Sequence, residues 1–154
     1  MTVQLVLPPS LPIVLGGSGA LTIDSSVADS DDAQARWSVV LSDHEVGEMA
    51  AWWVELEGKT PGEVRNTLRG NRAATSSDEE YRDTAAGPAL RLRGRSTLTR
   101  DEGLPVVVDE VLWSWVSGTH LLVLSSHTLF LVLADYVAEI VDLAAAALRV
   151  EFDD

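Results

Sequence analysis

Four arginines stand in the twelve residues 89–100, ALRLRGRSTLTR: Arg91, Arg93, Arg95 and Arg100, with no carboxylate among them. The surrounding chain is acidic, with 24 Asp and Glu against 11 Lys and Arg and a formal net charge of −13. A guanidinium is a planar fork of donors, suited to bidentate contact with carboxylate or phosphate. On a strand, side chains alternate between faces, so Arg91, Arg93 and Arg95 share one face and Leu90 and Leu92 the other. Two readings follow. In the first, the arginines are the solvated face of a strand, balanced by carboxylates such as Asp109 and Glu110 on the next strand. In the second, they form a rigid anion-binding platform. The first is preferred.

Other chemistry-bearing residues are sparse. The histidines, His44, His120 and His127, lack any metal-ligand spacing. Residues 125–128, SSHT, put serine beside histidine, but a nucleophile–base pair is defined by geometry, not adjacency. Helix capping by Ser125 or Ser126 is the simpler role. Residues 16–19, GGSG, match neither a nucleophile elbow nor a P-loop and read as a turn. The acidic run DSDD at 29–32 lacks the glycine and closing glutamate of a calcium loop. Glu79 and Glu80 have no evident acid–base partner. No catalytic residue, cofactor or metal is expected, and the chain is read as a non-enzyme.

The elements that position these residues are mostly strands. Apolar runs at 3–7, 13–17, 20–24, 35–42, 89–99, 105–117 and 119–126 are bounded by Gly, Pro or polar turns. Two segments carry Ser/Thr-x-x-Glu, the spacing of a capping box. Ser42 with Glu45 would start a helix over 43–57, and Thr60 with Glu63, with Pro61 between them, one over 61–69. Residues 71–88 are polar and rich in small residues, so they read as a flexible loop. Residues 127–150 close the chain as a long helix. It is apolar except for a narrow stripe of Asp135, Glu139 and Asp142, so it is read as largely buried, inside the domain or in a homodimer through 128–148. The expectation is one α+β domain over 1–154: a mainly antiparallel sheet of six to seven strands, two helices in mid-chain and a long C-terminal helix.

The tryptophans mark core and surface. Trp113 and Trp115 share a strand face with Val111 and read as core. On a helix, Trp52 and Trp53 point about 100° apart. Trp53 joins the apolar stripe of Val46, Met49 and Ala50, while Trp52 falls among Glu45, Glu48 and Glu55. Tryptophan is enriched at binding hot spots, so Trp52 and these three glutamates are the candidate surface for a basic protein partner.

The acidic balance argues against nucleic acid. No stretch approaches the ~20 apolar residues of a membrane span. The N-terminus lacks an early Lys or Arg and is broken by Pro8, Pro9 and Pro12, so it does not read as a secretory signal. With no cysteine either, a cytoplasmic location is expected. The function expected is a non-enzymatic acidic protein-binding domain, of immunity or inhibitor type. A homo-oligomeric assembly or scaffold component, including a phage-type structural or anti-defence protein, is the alternative. A small-ligand binder or hydrolase using the arginine-lined strand is the third reading.

Overall fold

The structure is a computed structural model, and it describes residues 2–6, 13–15, 19–26, 35–41, 44–69, 73–99 and 103–153. The readings made on Ser42, 16–18, 29–32, 70–71 and Arg100 lie outside these residues. Along the chain run β1 (Thr2–Val6), β2 (Ile13–Leu15), β3 (Gly19–Ser26), β4 (Ala35–Leu41), β5 (His44–Glu55), α1 (Pro61–Arg69), β6 (Ala73–Thr84), β7 (Gly87–Thr99), β8 (Pro105–Ser117), β9 (His120–Thr128), a 3₁₀ turn (Leu131–Leu133), α2 (Ala134–Ala147) and β10 (Arg149–Asp153). The class is α+β with antiparallel pairing throughout. One sheet has the order β2-β3-β4-β5-β9-β8-β7-β6, and β1 pairs with β10 in a second.

Seven of the ten described strands fall on the seven apolar runs. The other three replace a helix, a loop and a helix end. Residues 44–55 form β5, not a helix, held between β4 and β9. Met49 and Ala51 are buried on one face, while Trp52 and Val54 pack on the other. A strand covered on both faces loses its polar–apolar alternation, and AAWWV then reads equally well as helix or strand. Neighbouring strands on both sides decide for the strand.

Residues 73–84 form β6, along most of a segment read as loop, and β6 pairs with β7. Its polar composition is that of a strand at the sheet edge. At the C-terminus the helix is shorter than 127–150. Residues 120–128 stay in β9, α2 begins at Ala134, and residues 149–153 leave it as β10. Ser125 and Ser126 therefore cap no helix. Thr128 holds the bend instead: its hydroxyl donates to the Val46 carbonyl and accepts from the Phe130 N–H at 3.0 Å.

The Thr60 box does form. The Glu63 N–H donates to Thr60 Oγ1 at 3.2 Å and the Thr60 N–H donates to Glu63 Oε2 at 3.1 Å. Together they satisfy two donors that the first turn of α1 leaves unpaired. β8 and β9 are joined by two residues, Gly118-Thr119, and Gly118 supplies the positive φ of 59° that so tight a hairpin needs.

The two helices lie on opposite faces of the sheet. α2 covers Val39, Met49, Ala51, Val111, Trp113, Trp115, Leu122 and Leu124 with Val137, Ile140, Val141, Ala144 and Ala145. On the other face, Val64 of α1 meets Leu121 and Val123, with Trp52, Val54 and Leu112 packed around them.

Candidate functional site

Strand alternation places Arg91, Arg93 and Arg95 on one face of β7, as the sequence requires. That face turns toward α2: Arg91 is buried beneath it, Arg93 is partly buried, and Arg95 remains exposed. Arg91 stands opposite Trp113 in the register. Its Nε donates to Asp142 Oδ1 at 2.9 Å and its Nη2 to Asp142 Oδ2 at 3.1 Å, a bidentate pair. Asp142 also accepts from Trp113 Nε1 at 2.9 Å. Arg93 donates to Asp135 at 2.7 Å and to Asp109 at 3.4 Å. Arg95, opposite Asp109, donates to its second oxygen at 3.2 Å. The expected cross-strand pairing with Asp109 is present. The polar stripe of α2 and the basic island of β7 are thus two halves of one contact, with Asp135 and Asp142 turned to the arginines.

The ladder is graded from inside to outside. The Arg91 side chain is 11% exposed and Asp109 5%, whereas Asp135 is 88% exposed. Burial works against the Arg93 charge, but its bonds to Asp135 and Asp109 outweigh that and hold its pKa above the ordinary arginine value. The bond to Arg93 in turn holds the Asp135 carboxyl below its ordinary range. An arriving anion would have to displace carboxylates already held by these guanidiniums. The geometry is that of a clamp between helix and sheet.

Trp113 and Trp115 are buried as expected, stacked with ring centroids 6.1 Å apart. Trp115 Nε1 donates to Thr84 at 2.9 Å. Trp52, read as a binding anchor on a helix, instead lies partly buried on the α1 face of β5, against Val64, Leu121 and Val123. Glu45 and Glu55 sit at opposite ends of that strand, about 33 Å apart at strand rise. The three glutamates therefore do not ring Trp52.

Two of them do meet elsewhere. Glu45, Val46, Gly47 and Glu48 at the start of β5 line an open cleft of about 310 Å³ with His127, Thr128, Leu129 and Phe130 at the end of β9. Glu48 Oε2 is 3.0 Å from His127 Nε2 across the ladder. Beyond the cleft runs an exposed apolar lip: Leu129 40%, Phe130 53%, Leu131 36% and Val132 91% exposed. Sequence reasoning assigned these four to a buried helix. The missed signal is Thr128, whose hydroxyl stops the strand and delays the helix.

His44 is exposed, and His120 bonds to Thr119 and lies edge-on to Trp53. Among the described residues no group of three or more His, Asp or Glu is placed to hold a metal, and no helix is long and apolar enough to cross a membrane.

No protein-family model and no curated protein sequence matches the chain. Solved structures do. The cyanobacterial PsbP (CyanoP) of Synechocystis sp. PCC 6803 is similar over 97% of this chain and 92% of its own, with a TM-score of 0.53 and 12% identity. LpqN of Mycobacterium tuberculosis, involved in cell envelope biogenesis, aligns over 98% of this chain and 85% of its own, with a TM-score of 0.44 and 12% identity. The likeness to CyanoP shows a shared fold. It says nothing of shared activity.

Proposed function

We propose that this chain is a non-enzymatic, cytoplasmic, acidic protein-binding domain of immunity or inhibitor type, and that a basic protein docks at the cleft between β5 and β9. The observation that carries this reading is the cleft itself. Glu45 and Glu48 supply negative walls, and Leu129 to Val132 supply an apolar lip that the domain leaves uncovered. An apolar patch rimmed by polar groups is a mark of interaction surfaces. The net charge of −13 would attract a basic partner from a distance and repel nucleic acid and anionic lipid. Glu45 and Glu48 keep the partner-binding role read from the sequence. Trp52 and Glu55 do not join them.

Panning a random dodecapeptide library tests the proposal. Peptides enriched on the wild type should pair Lys or Arg with a large apolar residue and should be lost on Phe130→Asp/Val132→Asp. Amide shifts on binding should map to 44–48 and 127–132. Enriched peptides indifferent to charge, or shifts elsewhere, would remove the cleft from the proposal.

The same lip, with Tyr136 and Leu143 also exposed on α2, supports a second reading as a homodimer through 128–148. Sedimentation at micromolar concentration separates the two, since only the dimer would dissociate on Val132→Asp.

A further inference from the structure

We infer that the outer edge of β6 is a strand-addition site for an extended, cationic segment of a partner protein. This goes beyond the cleft and rests on a different part of the fold. β6 ends the large sheet, and among the described residues its only strand partner is β7. The opposite end of the sheet is β2, three residues long, whereas β6 has twelve. A long free edge presents unpaired N–H and C=O groups to any strand that approaches, and proteins commonly guard such edges with lysine, proline or bulges. β6 has neither lysine nor proline, and its charges, four Asp or Glu against one Arg, guard the edge against neutral and acidic strands but not against a cationic one. Its bulge lies near the start, between Ala74 and Ser76, which leaves Ser76–Thr84 in regular register.

The side chains give the edge a polarity. On the face shared with the arginine ladder, Glu80 and Arg82 bond to each other at 2.8 and 2.9 Å, so that face is locally neutral. On the other face Glu79, Tyr81 and Asp83 follow at every second residue, all exposed, with Tyr81 74% exposed. Arg65 of α1 is near enough to feel the Glu79 carboxylate, but its Nε donates to Ser114 at 2.7 Å. An added strand would therefore meet acid, aromatic, acid at strand spacing. The complement is a segment with cations four residues apart and an apolar residue midway, pairing through its backbone as strand-adding peptides do.

The blocked peptide Thr-Lys-Thr-Val-Thr-Lys-Thr is the probe, titrated against the full chain with amide hydrogen exchange as readout. A peptide of the same sequence, N-methylated on alternate amides of either edge, is the control. Expected are slower exchange at β6 amides, at least tenfold weaker binding of the N-methylated peptides, and at least tenfold weaker binding by Glu79→Lys/Asp83→Lys with an unchanged melting temperature. Three results would each overturn the inference: equal binding of the N-methylated peptides, protection at 44–48 or 127–132 in place of β6, or no binding at millimolar peptide. The lip variants at Phe130 and Val132 leave β6 untouched, so failure here and failure of the cleft are separate results.

Discussion

The two faces of the sheet solve the same problem differently. Under α2 the interior is large and includes charge: Trp113 is buried, and the acceptor of its indole N–H is the carboxylate that also holds Arg91. Under α1 a smaller cluster, Val64, Leu121 and Val123, is buried, with Trp52 partly buried against it. The lesson concerns charge. A basic island in an acidic protein looks like a surface device, yet here it sits where the protein needs direction as well as burial. Apolar contact alone would let α2 slide or rotate on the sheet. Bidentate bonds from Arg91 and a second anchor at Arg93 fix its position. Breaking one partner of such a pair is costly, because the other charge is left with no counterpart.

The contrast between the faces can be broken in graded steps. The largest loss is expected from Trp113→Ala, about 3–5 kcal/mol, as a large-to-small change at a buried site. Asp142→Ala should follow at about 3 kcal/mol, because it strands both Arg91 and the Trp113 indole N–H. Chemical denaturation measures both. Trp52→Ala should cost about 2 kcal/mol, less than a fully buried tryptophan because Trp52 is only partly buried. Equal losses for Trp52 and Trp113 would show that the two faces carry the fold alike. On the α1 side, Thr60→Ala should cost about 1 kcal/mol and lower helicity at 61–69, which far-UV circular dichroism and exchange of the Glu63 amide report. Asp135→Ala should be smallest, because solvent screens the pairing of a group 88% exposed.

Acid sharpens the same comparison. The Arg93 bond holds the Asp135 carboxyl below its ordinary value in the folded chain. Its contribution is therefore complete above the unfolded aspartate range, near about pH 4, and is lost as pH falls through the folded value. Glu80 behaves likewise through its bond to Arg82. An acid titration of Asp135→Asn should lose less stability over this window than the wild type. A parallel curve would mean that the outer end of the ladder contributes nothing.

How much of this was legible depends on whether the cue was local. The meander β7-β8-β9 was visible because glycine-bearing turns bound each run and one-sided alternation marks β7. The Thr60 box was visible because its two bonds lie within four residues. The same spacing at Ser42 and Glu45 misled, since β5 is fixed by β4 and β9, partners distant in sequence. Side-chain alternation likewise put the three arginines together but not on a side. Leu90 and Leu92 looked like the buried face, and they are buried too, so both faces of β7 are covered there. Only the docking of α2, with Asp135 and Asp142 facing the strand, shows which partner the arginines take. The cleft was half legible: Glu45 and Glu48 were named, but their neighbours Leu129 and Phe130 come from a segment 80 residues later.

The arginine side chains themselves give the most direct test of whether the basic island belongs to the fold and recognition lies elsewhere. The Nε–H resonances of Arg91, Arg93 and Arg95 can be followed in ¹⁵N-labelled protein as inorganic pyrophosphate is added. If the arginines are held by Asp142, Asp109 and Asp135, the Arg91 signal should be protected from solvent exchange and none of the three should shift at millimolar pyrophosphate. A saturable shift of Arg91 and Arg93 together, with release of α2 contacts, would contradict this and restore the anion platform.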